Sequence, residues 1–165
     1  MRTVMTTSPP TTEQDRRAGR SALGHRSRRL TSLVAAAIGV VLVLSACSPQ
    51  ELQVADQINA SRSQYGLYHY QLNLTLQIKA HNHAQYMADT GRLVHSNLAS
   101  GNGYSWRRLG ENVGYGPDLN SVHNAFMNSS GHRGNILDRG FQYHGTGVVQ
   151  DRYGRLWVVH EFMQL

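Results

Sequence analysis

Ser129-Ser130-Gly131-His132-Arg133-Gly134-Asn135-Ile136-Leu137 is the stretch on which the fold of this 165-residue chain turns. It sets an imidazole among small, turn-forming residues, shortly before a C-terminal segment with strand character. Two shorter segments upstream share the pattern: His95-Ser96-Asn97 and Gly110-Glu111-Asn112-Val113. Two imidazoles and one carboxylate placed this way can meet in a cleft between elements, the ingredients of a divalent-metal or acid/base site.

Outward from these segments, periodicity supplies the elements. Leu52, Ala55, Ile58 and Arg62 recur at helical spacing, which predicts a first helix over roughly 51–65, ending near Gly66. Asn73 caps a second helix with the stripe Leu76, Ala80, Ala84 and Met87, stopped by Gly91. A third, short helix is expected from a Ser121 cap, carrying Val122, Ala125 and Phe126 and ending before Ser130-Gly131. Gly-rich 99–103 and 114–117 read as loops. The segments 146–150 and 156–162, joined by Asp151-Arg152-Tyr153-Gly154, form a β-hairpin signal. Periodicity alone therefore predicts a small mixed α and β domain.

The motifs carry it further. His83-Ala84-Gln85-Tyr86-Met87-Ala88, His95-Ser96, Gly110-Glu111-Asn112-Val113, Phe126 to Leu137, and the closing Gly145, Gly147, Trp157 and Phe162 occur in this order. Together they resemble the CAP superfamily of cysteine-rich secretory, antigen 5 and pathogenesis-related (SCP-like) proteins, in its compact bacterial form. The resemblance covers essentially all of 51–165. It implies an α+β fold, a single-domain three-layer α-β-α sandwich, with His95, Glu111 and His132 pointing into one cleft.

Departures from the family pattern matter as well. Many animal and plant members place a second acidic residue in a Trp-x-x-Glu segment. The matching stretch here is Phe126-Met127-Asn128-Ser129, so that carboxylate is missing. The family's Trp is Phe126, a Gln common near the last strand is His160, and the multi-disulfide framework is absent because Cys47 is the sole cysteine.

Each candidate also has a plainer role. His95 can terminate a loop, Glu111 can be a buried acid pinning backbone N–H groups, and His132 can anchor a turn. His69, His81, His83, His123 and His144 read as mostly solvated. As a set, His95, Glu111 and His132 match a His₂Glu ligand set for Zn²⁺ or a similar divalent cation. If the protein were an enzyme, the same trio would be catalytic, with a metal-activated water. No His-x-x-x-His helix signature, further general base or Gly-x-Ser-x-Gly elbow accompanies it, so cation binding without turnover fits better.

The N-terminal third has a different character. An apolar run from Leu30 to Leu44 follows a basic segment and precedes Ser45-Ala46-Cys47. It is short for a bilayer of about 30 Å, and suits the apolar core of an export signal. Leu44-Ser45-Ala46-Cys47 resembles a bacterial lipobox, so 1–46 is expected to be a lipoprotein signal peptide cleaved before a lipidated Cys47. Residues 47–50 would be a short tether and 51–165 the domain. Ser27-Arg28-Arg29-Leu30 also resembles a twin-arginine signal, and the export route stays open. Residues 1–46 carry +5 of the formal +6 charge, leaving +1 for the remainder. Only Arg107 and Arg108 are adjacent there, which argues against a nucleic-acid partner.

The expectation is a monomeric protein, lipid-anchored on the extracytoplasmic face of a bacterial membrane. The family resemblance implies a binding module for a small molecule, lipid or envelope component. The alternative is a metal-dependent hydrolase of peptide or cell-envelope substrates.

Overall fold

A computed structural model describes residues 47–165; the signal-peptide reading of 1–46 lies outside the described residues. Ser48 opens helix α1 (Pro49–Gln64): its hydroxyl accepts from the Glu51 N–H, while the Glu51 carboxylate accepts from Ser48 N–H. Pro at the first helical position completes the start, so the helix takes in Pro49 and Gln50. Strand β1 (Gln71–Leu72) leads into α2 (Leu74–Thr90), capped by Asn73 and ended by Gly91 in the left-handed conformation, as expected.

Then come β2 (Arg108–Gly116), α3 (Leu119–Asn128), α4 (Ser130–Ile136), β3 (Tyr143–Gln150) and β4 (Leu156–Gln164). The strands form one sheet in the order β1-β3-β4-β2, so β2 is an edge. The β3–β4 hairpin is antiparallel, β4 pairs antiparallel with β2, and β1 pairs parallel with β3.

Three expectations change. The cap of α3 is Asp118, whose carboxylate accepts from the Ser121 N–H and hydroxyl; Ser121 lies inside the helix. Ser130 to Ile136 is a helix, although its small residues read as a turn. Gly110 to Gly116 is strand, because its backbone pairs with β4 from Phe162 to Leu156. Its glycines serve packing: a Cβ on Gly114 would meet the Phe126 ring at 2.9 Å, and one on Gly110 would meet Phe141 at 2.9 Å.

The pleat sorts side chains to two faces. Val148, Leu156, Val158 and Phe162 meet α1, α3 and α4 through Val54, Ile58, Val122, Phe126 and Ile136. Val113, Trp157 and Val159 meet α2 through Ala80, Ala84 and Met87. Helices cover both faces, giving the expected three-layer α-β-α sandwich. Helix α2 sits unusually low on β3, since a Cβ on Gly145 or Gly147 would overlap the backbone of Leu76 and Ala80. The Gly-x-Gly spacing is the imprint of that close approach.

Candidate functional site

His95 lies in the segment between α2 and β2, and its Nδ1 is 2.6 Å from Glu111 Oε1. The same oxygen accepts from the Ser96 N–H at 3.0 Å. The Glu111 side chain is 1% exposed and the His95 side chain 62% exposed. The carboxylate is thus an internal support, and the imidazole is the solvent-facing group. The other carboxylate oxygen, Oε2, is buried with no hydrogen-bond partner.

His132 arrives from α4, on the opposite face of the edge strand. Asn112 fixes its backbone: Asn112 Nδ2 donates to the His132 carbonyl at 3.0 Å, and Asn135 Nδ2 donates to Asn112 Oδ1 at 3.0 Å. Its ring packs edge-on against Phe126 with centroids 4.9 Å apart. Burial, and then the nearby His95, lower its pKa, so it is held neutral. The structure therefore joins His95 and Glu111 directly, and places His132 nearby on α4. Among the described residues, no group of three His, Cys, Asp or Glu side chains is gathered as a metal site.

Sequence reasoning missed Glu161. No acidic residue comes from 126–129, but Glu161 on β4 stands directly opposite Glu111 on β2. It is fully buried, accepts from the Ser96 hydroxyl at 3.2 Å, and lies 3.2 Å from Lys79 Nζ. Burial, opposed by Lys79 and reinforced by Glu111, pushes its pKa up to about 7. The available signal is the alternation of β4, which puts Glu161 on the same face as Trp157 and Val159.

The other histidines divide. His83 bonds the Val94 carbonyl through Nε2 at 2.8 Å, and His81 Nδ1 contacts Glu51 at 2.8 Å. His123 is half-buried against Ser61, and His144 and His160 are buried in the core. The solvated reading fails for both: His123, on α3, packs against Ser61 of α1, and His144, on β3, is covered on the sheet face that α1 packs against.

The matched motifs now have a geometry behind them, and a direct comparison decides the family. The model of the CAP cysteine-rich secretory protein family matches residues 55–162. The chain belongs to the CAP family. It is 34% identical over 122 residues to the uncharacterized protein YkwD of Bacillus subtilis, covering 68% of this chain and 47% of that relative. It thus spans about half the length of this curated relative.

Solved structures share the fold at lower identity. An extracellular protein containing an SCP domain from Bacillus anthracis superposes with a TM-score of 0.61 at 22% identity, over 70% of this chain and 40% of that one. An outer surface protein from Borrelia burgdorferi gives 0.63 at 18% identity, over 72% of this chain and 95% of that one.

Proposed function

We propose that this CAP domain works outside the cytoplasm as a membrane-tethered binding module, and that its His95–Glu111 pair organises a cation-binding cleft. The observation that carries this reading is the burial of Glu111 beneath His95. A carboxylate engaged by an imidazole and a backbone N–H, and closed to solvent, is badly placed to activate water. It is well placed to hold Nδ1–H and leave Nε2 as a free lone pair, as carboxylates beside metal-binding histidines do.

The donor set fits a divalent cation: His95 offers Nε2, His132 is neutral, and Glu111 Oε2 is a buried, unpartnered acceptor. His95 and His132 would hold the ion, with Glu111 orienting His95. When bound, the ion would supply a positive anchor for ligand oxygens. The remaining residues position this pair: Ser96 ties Glu111 to Glu161, and Asn112 with Asn135 ties α4 to β2.

The tether reading places Cys47 one residue before the Ser48 cap, so a lipid on its sulfur would hold the domain against the membrane surface. The solved relatives described as an extracellular protein and an outer surface protein support the same side of the membrane. The competing metal-hydrolase reading is tested by assaying the purified chain on peptide and cell-wall substrates with and without chelator. The binding reading expects no turnover in either condition. Chelator-sensitive turnover that disappears in Glu111→Gln would overturn it.

A further inference from the structure

Beside the cleft, along the outer face of α2, runs a groove of about 490 Å³ whose other wall is the turn at 96–101. Its lining mixes apolar surface, from Ile78, the Tyr86 ring and side-chain stems, with the hydroxyls and amides of Thr75, Asn82, Ser96 and Asn97 and the Lys79 ammonium at the side. Ile78 is its only aliphatic side chain.

Two features are built rather than incidental. The exposed Tyr86 ring lies parallel to His83, with centroids 6.0 Å apart and planes 14° apart. His83 is itself fixed by the Val94 carbonyl at 2.8 Å, so Tyr86 is a braced flat platform. Lys79 is likewise fixed, donating to the Leu98 carbonyl at 2.8 Å and pairing with buried Glu161. An ammonium has three protons, so one is left for a ligand. Ser96 spends its own proton on Glu161 and keeps its lone pairs.

This chemistry selects among ligands. An acyl chain would use the apolar part of the groove but leave the Thr75 and Ser96 hydroxyls, the Asn82 and Asn97 amides and the Lys79 ammonium without partners. A phosphate is best held by a bidentate guanidinium or several cations, and Lys79 is the only Lys or Arg lining the groove. A sugar ring requires a flat aromatic surface for its C–H face and a mixture of fixed donors and acceptors for its hydroxyls. That is the set present. We infer that the groove between α2 and the 96–101 turn binds a saccharide, with Tyr86 as the stacking platform and Lys79, Ser96 and Asn97 as hydroxyl and acetamido partners. The inference rests on the reading of the domain as a binding module and does not require the cation.

The test is calorimetric titration of the purified full chain in detergent with the tetramer of N-acetylglucosamine. Tyr86→Ala and Asn97→Ala should each weaken binding about tenfold, equivalent to about 1.4 kcal/mol, while Tyr86→Phe stays close to the parent. Tyr153→Ala, exposed on the hairpin turn and outside the groove, should leave saccharide affinity unchanged, and a parallel Zn²⁺ titration of the parent and His95→Ala reports on the cleft. No heat with the tetramer, or equal binding by the parent and Tyr86→Ala, would overturn the groove assignment. Intact Zn²⁺ binding in that event would leave the cleft reading standing. Laurate binding that is lost in Tyr86→Ala would also overturn it, in favour of an apolar ligand.

Discussion

Glu111 and Glu161 face each other across the β2–β4 pair, both buried, Glu161 beneath Lys79 of α2 and Glu111 beneath His95, and linked through Ser96. Like charges opposite one another in a sheet are unfavourable. The site relieves this in two ways: Lys79 reaches Glu161, and Glu161 takes up a proton more readily than an exposed carboxylate. Glu111 is left to act on His95. One edge strand and one hairpin strand thus assemble a polar centre in an otherwise apolar layer.

The close seating of α2 on β3 predicts a sharp contrast between glycines. Gly147→Ala would push a methyl into the Ala80 backbone, which cannot step aside as a flexible side chain would. The expected cost is about 3 kcal/mol, at the upper end for overpacking, seen as a fall of more than about ten degrees in thermal melting by circular dichroism. Gly131→Ala meets nothing within 4 Å and should melt with the parent or slightly above it.

Trp157 joins the two ends of the hairpin to α2. Its ring is 1% exposed, and its Nε1 donates to Asp151 Oδ2 at 2.9 Å. Trp157→Ala should cost about 3–5 kcal/mol in urea denaturation, a large share of the stability of a domain this size. A midpoint close to that of the parent would mean the strand is peripheral.

Acid should destabilise the fold through its buried histidines. Burial, with Arg62 adding to it, lowers the His144 pKa to about 4, and burial together with His123, His144 and His132 holds His160 well below its ordinary value. The unfolded chain binds protons near pH 6.5 and the folded one does so only further down, so stability is full above about 6.5 and falls as pH drops. His144 alone should account for about 3 kcal/mol lost between about pH 6.5 and 4. Replacing His144 with Gln should flatten that part of a stability–pH profile, and an unchanged slope would contradict the assignment.

The anchor is tested chemically. Cys47→Ala should abolish incorporation of a fatty-acid probe and shift the protein out of the membrane fraction. Several acyl chains anchor firmly, at about 0.8 kcal/mol per buried CH₂. Labelling that persists in the variant would contradict lipidation at Cys47.

The elements and the family are legible in the sequence wherever local physics decides. The Asn73 cap, the Gly91 stop and the β-branched hairpin with its turn glycine are set by near neighbours in sequence. What stays hidden depends on long-range pairing. Gly110 to Gly116 lacks the bulky pattern of a strand, because its glycines make room for Phe126 and Phe141 from distant elements. Glu161 reads as one more residue in a strand until β2 brings Glu111 opposite it. His123 and His144 read as solvated because nothing local shows that α1 packs against α3 and β3. His95 and Glu111 emerge from motif context, but the roles within the pair, exposed imidazole over buried carboxylate, come only from the fold.

The most direct test of the central claim is a calorimetric Zn²⁺ titration of the purified chain and four variants at neutral pH, with the parent repeated at mildly acidic pH. Binding should be lost or strongly reduced in His95→Ala and His132→Ala. It should weaken about 10- to 100-fold in Glu111→Gln, which removes the support of His95, and stay unchanged in His123→Ala. Binding by the parent should weaken in acid, because a protonated imidazole has no lone pair for the ion, and His132 takes up its proton only below the ordinary histidine value. Equal, weak binding by the parent and all four variants would contradict the account and leave His95, Glu111 and His132 as structural pins of the edge strand.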